Sequence, residues 1–177
     1  MQTVPFGKTG FNVSRLGVGL SEIGSQLSVS DQDQATKMLN TALDSGINFL
    51  DTSACYGISE LLTGKAVAER RDDYFLATKA GHIALGADGE EWTYQAVSEA
   101  IDRSLRLLQT DHVDLVQLHS CGIDVLERGD VIRALQDAQK AGKTRFFGYS
   151  GDNEAAHWAV DSGLFATLQT SYNLVEQ

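Results

Sequence analysis

The sequence has few of the features that mark nucleic-acid-binding or disulfide-stabilised proteins. Its longest run of basic residues is the pair Arg70–Arg71, and 24 acidic residues against 14 basic ones give a formal net charge of −10. Binding to a phosphate backbone is not expected, because such binding depends on a basic surface. Two cysteines, Cys55 and Cys121, cannot form a disulfide framework in a chain of 177 residues, and we interpret both as free, inert thiols.

Long apolar runs are also missing. The apolar region from Phe75 to Ala87 is interrupted by Lys79 and His82 and is shorter than the roughly 20 residues that span a bilayer. The first residues, M-Q-T-V-P-F-G-K, have neither the charged nor the apolar segment of a secretory signal peptide. We therefore expect a cytoplasmic protein that contacts neither membranes nor nucleic acid.

What is present is the composition of an ordinary globular domain. Hydrophobic residues make up 42% and charged residues 21% of the chain, and its length suffices for a single hydrophobic core. We predict that residues 1–177 form a single domain.

Short apolar segments alternate with helical patterns along the chain. Turn signals at Pro5, Gly7 and Gly10 predict a small β-hairpin at the start. Ser30 and Asp33 resemble a capping box that begins the first long helix. Six strands are predicted after the hairpin, at residues 16–20, 47–50, 74–78, 113–118, 144–148 and 166–172.

Strict alternation of strands and helices indicates the α/β class with a parallel sheet. A doubly wound sheet and a barrel both satisfy it. The dinucleotide-binding fingerprint of the doubly wound fold is not matched, because Gly24 comes two positions late after Gly17 and Gly19. We predict a (β/α)8 TIM-barrel type fold, incomplete here, with about six βα units after the hairpin, since a whole barrel takes about 250 residues.

Ionisable residues stand at the ends of three successive predicted strands: Asp51, Lys79 and His119. Side chains alternate along a strand, so in a barrel these three would converge at the C-terminal mouth, below Tyr56 in the following loop. A buried carboxylate needs a partner, which predicts an Asp51–Lys79 ion pair. An ammonium beside a phenol favours the ionised phenol and makes it a usable proton donor. Each residue alone is more often structural, but the four together favour catalysis.

Six stretches resemble the aldo-keto reductase family in their order and spacing. They are F-G-K-T-G-F-N-V-S-R-L-G-V-G, L-D-S-G-I-N-F-L-D-T-S-A-C-Y-G, F-L-A-T-K, S-L-R-L-L-Q-T-D-H-V-D-L-V-Q-L-H, A-G-K-T-R-F-F-G-Y-S and L-Q-T-S-Y-N. The resemblance extends over the whole chain. It implies a barrel opened by a hairpin and an NAD(P)H-dependent reduction of an aldehyde or ketone to an alcohol.

The resemblance also implies roles for individual residues. Tyr56 would be the general acid, tuned by Lys79 and Asp51, and His119 would orient the carbonyl of a small-molecule substrate. The nicotinamide carboxamide would be held by Ser150 and Gln169. Many members have an asparagine directly after the serine, where this chain has Gly151, which leaves one carboxamide contact open. No metal is implied.

The resemblance further implies that the last two βα units of the barrel are missing from this chain. Their loops hold the rest of the cofactor in the family, so the sequence does not distinguish NADP(H) from NAD(H). Open strand edges in such a sheet are sites for self-association. Two alternatives to a reductase stay open at this point: a nucleotide-binding accessory module and an inactive truncated fragment.

Overall fold

The computed structural model describes residues 1–83 and 88–175, and it begins with a hairpin. Strands β1 (Thr3–Pro5) and β2 (Asn12–Ser14) pair antiparallel, with Val4 opposite Val13. The turn between them contains Gly7 and Gly10, both at positive φ, a conformation that glycine adopts without a steric penalty. The hairpin predicted from the turn residues is confirmed.

Six parallel strands form the main sheet. They are β3 (Val18–Gly19), β4 (Phe49–Asp51), β5 (Phe75–Ala80), β6 (Val113–His119), β7 (Thr144–Ser150) and β8 (Leu168–Gln169). Their order in the sheet is their order in the chain. A doubly wound sheet reverses its strand order so that helices cover both faces, whereas sequential right-handed crossovers place the helices on one face. The sheet is therefore six strands of a barrel, as predicted, and the doubly wound alternative is wrong.

Seven α-helices are present in the described ranges. They are α1 (Ser21–Gln26), α2 (Gln32–Asp44), α3 (Ser59–Val67), α4 (Tyr94–Leu108), α5 (Ile123–Arg128), α6 (Asp130–Lys140) and α7 (Asn153–Asp161). The short helices α1 and α5 were not predicted, because six residues are too few to show a helical period. The capping box is formed by Ser28 and Asp31, two residues before the predicted pair. Nowhere in residues 1–83 and 88–175 is a helix long and apolar enough to cross a membrane.

At their C-terminal ends, β4 to β7 extend one or two residues beyond the prediction, and these residues include Asp51, Lys79, His119 and Ser150. At its N-terminal end, β4 begins two residues later than predicted. Lys79 pairs with Gln117 and His119 pairs with Ser150 in the parallel ladder. The sequence prediction followed hydrophobicity and ended the strands before these residues, whereas the backbone of a polar residue pairs as well as that of an apolar one. The last strand, in contrast, is shorter than predicted: it is limited to residues 168–169 and pairs with β7.

The inner face of the sheet packs against the hairpin and not against helices. Phe75, Ala77 and Leu115 of the sheet form a buried cluster with Val13 of the hairpin, and the partly buried Phe6, Phe11, Phe49 and Phe146 pack around it. The rings of Phe6 and Phe11 lie 5.3 and 5.2 Å from the ring of Phe75, close to edge-on. Intervening strand residues such as Leu76 and Val116 point outwards into the larger core beneath the helices. The hairpin thus closes the N-terminal end and leaves the polar C-terminal end accessible.

Replacing the central ring of this inner cluster should destabilise the protein strongly. We expect Phe75→Ala to lower the free energy of unfolding by about 3–5 kcal/mol, because a large buried side chain leaves a cavity. Leu16→Ala is the control, since Leu16 is 62% exposed and should change stability by about 0.5 kcal/mol or less. Chemical denaturation measures both, and equal losses would contradict the packing described.

Candidate active site

A buried ion pair joins β4 to β5 at the C-terminal end of the sheet. Nζ of Lys79 donates to the two carboxylate oxygens of Asp51 at 2.8 and 2.7 Å, and to the carbonyl of Thr52 at 3.1 Å. Only 2% of the Lys79 side chain and 12% of the Asp51 side chain are exposed. Charges this deeply buried are tolerated when they are paired and hydrogen-bonded. The structure therefore brings together the two residues that the sequence analysis paired.

The aromatic ring of Tyr56 lies beside this pair. Its centroid is 5.0 Å from Nζ of Lys79, and the ring of His119 meets it edge-on at 5.9 Å. Tyr56 belongs to the loop between β4 and α3, and this loop packs against α1. Gly24 makes that approach possible, because a Cβ at this position would overlap the carbonyl oxygen of Tyr56. The four ionisable residues singled out in the sequence thus occupy one site.

The imidazole of His119 is held in a partly buried environment. Burial, together with the charges of Lys79 and His82, lowers the pKa of His119 to about 4. The ring is therefore neutral at pH 7. The carbonyl of His119 accepts a hydrogen bond from Nε1 of Trp92 at 3.0 Å, and the ring of His82 lies edge-on at 4.9 Å.

The two residues considered for cofactor binding lie on neighbouring strands at the same edge. Ser150 ends β7, and in the register it pairs with His119 on one side and Gln169 on the other. The Gln169 amide donates to Oδ2 of Asp51 at 3.0 Å and accepts from Nε2 of Gln117 at 2.7 Å. Because Asp51 is in β4 and Gln169 in β8, this bond crosses the inside of the barrel. The side chain of Gln169 is therefore part of the ion-pair network.

A second buried acid supports the site from the helix side. Glu60 on α3 accepts from Oγ1 of Thr78 at 2.7 Å and lies 3.7 Å from the guanidinium of Arg103. Burial raises the pKa of Glu60, while the hydrogen bond from Thr78 and the charge of Arg103 act against that rise. Arg103 also donates to the carbonyl of Ala54 at 3.2 Å. The loop that carries Tyr56 is thereby attached to α4.

Several residues of the site escaped the sequence analysis. The alternation along its strand placed Gln117 on the inner face with His119, but gave it no role in the site. Ser53, His82 and Trp92 lie in loops, where no periodicity indicates which side chains turn inwards. Their contacts with His119 arise from the tertiary structure alone.

The site offers amide and hydroxyl groups to a cofactor. A groove of about 350 Å³ runs beside the ion pair and is lined by both edges of the sheet, including Gly19, Asp51 and Gln169. The Gln169 amide and the Ser150 hydroxyl suit a carboxamide, which needs both donors and acceptors. In the ranges 1–83 and 88–175, no group of three or more His, Cys, Asp or Glu residues could hold a metal ion.

The fold and the site together define an α/β protein of the barrel type, with ionisable side chains gathered at the edge where barrel enzymes hold their active sites. A model of the aldo/keto reductase family matches residues 15–177 of this chain. The chain belongs to that family.

Individual relatives show how much of a family member this chain covers. L-galactose dehydrogenase of Arabidopsis thaliana is 39% identical over 152 residues, which are 82% of this chain and 47% of that protein. A putative aldo-keto reductase from Pseudomonas aeruginosa superimposes with a TM-score of 0.88 at 31% identity, over 99% of this chain and 69% of the other. For the holo form of an aldo-keto reductase from Bacillus halodurans, the TM-score is 0.83 at 31% identity, over 97% and 58%. The chain spans about half the length of the curated relatives it matches.

The electrostatics of His119 can be tested without any ligand. Since its pKa is lowered to about 4, the ring should take up no proton between about pH 8 and pH 5.5, whereas an unperturbed histidine titrates near 6.5. Ring-proton NMR shifts measure this, with the His119 signals assigned by their loss in His119→Asn. A His119 signal that titrates near neutral pH would show that the imidazole is not shielded as described.

Proposed function

We propose that this chain carries the proton-transfer site of an NAD(P)H-dependent reduction, in which a small aldehyde or ketone becomes an alcohol. The observation that carries the proposal is the buried Asp51–Lys79 pair beside the ring of Tyr56, with a neutral His119 next to it. Membership of the family supports the reaction class. The proposed catalytic residues are Asp51, Tyr56, Lys79 and His119.

Reduction of a carbonyl needs a hydride at carbon and a proton at oxygen. A bound reduced nicotinamide supplies the hydride. The hydroxyl of Tyr56 donates the proton to the carbonyl oxygen and is left as a phenolate. The ammonium of Lys79, 5.0 Å from the centre of the ring, stabilises this negative charge as it develops. Asp51 holds the ammonium in place and balances its charge.

His119 has a different role in the proposal. A neutral imidazole donates a hydrogen bond to the carbonyl oxygen without transferring its proton, and so it orients the substrate toward Tyr56. An imidazolium at this position would compete with Tyr56 as the proton donor. The depressed pKa of His119 removes that competition at neutral pH.

For the cofactor, we propose that Ser150 and Gln169 hold the nicotinamide carboxamide, in NADP(H) or NAD(H). Ser150 lies at the end of β7 beside the His119 strand. Gln169 bonds to both Asp51 and Gln117 and would exchange one of these contacts for the carboxamide.

The same proposal covers the organisation of the chain. Residues 1–177 would be one domain that corresponds to six of the eight βα units, in agreement with the superposition on 69% of the Pseudomonas aeruginosa protein. Among the described strands, β3 pairs only with β4 and β8 only with β7. Copies of the chain would associate through these edge strands. The cytoplasmic location stays a prediction.

Removing the hydroxyl of Tyr56 should lower the reaction rate while leaving the fold intact. We expect Tyr56→Phe to lower the rate of nicotinamide oxidation with a carbonyl panel by about 10²- to 10⁴-fold, the usual contribution of a positioned general acid. The panel should include aldoses, because a relative at 39% identity is named L-galactose dehydrogenase. Tyr94→Phe is the matched control, since its hydroxyl donates to the partly exposed Asp137 at 3.1 Å on the outside of the helices. Equal rates for Tyr56→Phe and the unchanged protein would refute the assignment.

Cofactor binding is tested separately by calorimetry with NADPH and NADH. We expect Ser150→Ala to weaken binding by about 0.5–1.5 kcal/mol, the net worth of one hydrogen bond. Ser162→Ala is the control, because its hydroxyl only caps the end of α7. Binding without turnover would favour a nucleotide-binding accessory module, and absence of binding to either cofactor would contradict the proposed site.

A further inference from the structure

One ring nitrogen of His119 faces two small polar side chains of the loop after β4. Nδ1 lies 3.4 Å from Oγ of Ser53 and 3.5 Å from Sγ of Cys55. Oγ and Sγ are themselves 3.2 Å apart, so the three atoms form a triangle of mutual contacts. Ser53 is 2% exposed, which removes water as a ready substitute for these partners.

The hydrogen bonds of Ser53 favour one arrangement of protons in this triangle. Its Oγ accepts a hydrogen bond from the backbone N–H of Cys55 at 3.4 Å, and its own O–H needs an acceptor. The thiol sulfur of Cys55 is a weak acceptor, whereas an unprotonated imidazole nitrogen is a good one. The single lone pair of Nδ1 is therefore the best acceptor in the triangle for the Ser53 hydroxyl, with the S–H of Cys55 as the alternative donor.

The alternative arrangement is poorer. A neutral imidazole carries a single proton, on Nδ1 or on Nε2, and the partner of one nitrogen decides the state of the other. A proton on Nδ1 would be donated to Oγ of Ser53, which would then accept from both the ring and the Cys55 amide. The hydroxyl of Ser53 would then have only the sulfur of Cys55 to donate to.

We propose that Ser53, with Cys55 as the alternative donor, fixes the tautomer of His119 by donating to Nδ1, so that the ring proton stays on Nε2. Both are positioning residues, because they act through the imidazole. The purpose of this tautomer rests on the proposed function, in which His119 donates a hydrogen bond to the carbonyl oxygen. The tautomer itself is a property of the folded protein and is measurable without substrate.

Nitrogen-labelled protein at pH 7 gives the direct measurement. Long-range proton–nitrogen correlation spectra distinguish a protonated from an unprotonated ring nitrogen, and His119→Asn assigns the His119 signals. We expect protonated Nε2 and unprotonated Nδ1. Protonated Nδ1 in the unchanged protein would overturn the proposal, and this result does not depend on the folding of the Ser53 and Cys55 variants.

Two double variants test whether Ser53 and Cys55 are the cause. The combination Ser53→Ala with Cys55→Ser keeps one hydroxyl donor beside Nδ1, whereas Ser53→Ala with Cys55→Ala keeps none. We expect the first to retain the Nε2–H tautomer and the second to move a detectable share of the proton to Nδ1. The same tautomer in both would overturn the proposal. Ser98→Ala, which removes a hydroxyl on the outside of α4, should leave the His119 signals unchanged.

Kinetics add a readout that a purely structural role would not give. The variant without a donor should show a kcat about three- to tenfold lower than the variant with the Cys55→Ser hydroxyl, at equal KM for the nicotinamide cofactor. If the two variants differ in tautomer but have equal kcat values, the Nε2–H of His119 does not act on the substrate carbonyl, and that part of the proposal is overturned. Absence of turnover in every protein, with the Nε2–H tautomer observed, would count against the proposed function and support the tautomer assignment.

Discussion

The buried pair of Asp51 and Lys79 is the interaction on which the C-terminal end of the sheet depends. An unpaired charge at either position would be strongly destabilising, so each residue requires the other. The pair joins β4 to β5, its ammonium also bonds the carbonyl of Thr52, and its carboxylate accepts from Gln169 in β8. The second, third and sixth strands of the sheet therefore meet at one charge pair, and the side chains of Tyr56 and His119 lie beside it.

The sequential strand order of the sheet places the Asp51–Lys79 pair at the C-terminal end of its inner face. Sequential parallel strands place helices on one face and leave the other to be filled by side chains and by the hairpin. Apolar residues fill that face up to Phe75, Ala77 and Leu115, and polar ones follow at the end where no hairpin covers it. Along β4, β5 and β6 the inner face thus changes from apolar to polar, which separates the part that stabilises the fold from the part that can act chemically.

Much of this arrangement could be predicted from the sequence, and the remainder could not for identifiable reasons. Alternation along the strands placed Asp51, Lys79 and His119 on one inner face, because that period is local and exact to two residues. The bonds from Gln169 to Asp51 and from Ser53 to His119 join residues 118 and 66 positions apart, and no local pattern encodes them. Strand ends were misplaced where polar residues continue the ladder, as at Lys79, because hydrophobicity alone marks the end of an apolar run and not the end of backbone pairing.

The hydrogen bond from Gln169 to Asp51 has a consequence for the order in which the protein assembles. On the ribosome, residues near the N-terminus emerge and begin to fold before later ones are made. Asp51 and Lys79 can meet as soon as β4 and β5 pair, yet the carboxylate acquires its full set of donors only when residue 169 is in place. The polar end of the sheet is therefore completed only after residue 169 has been synthesised.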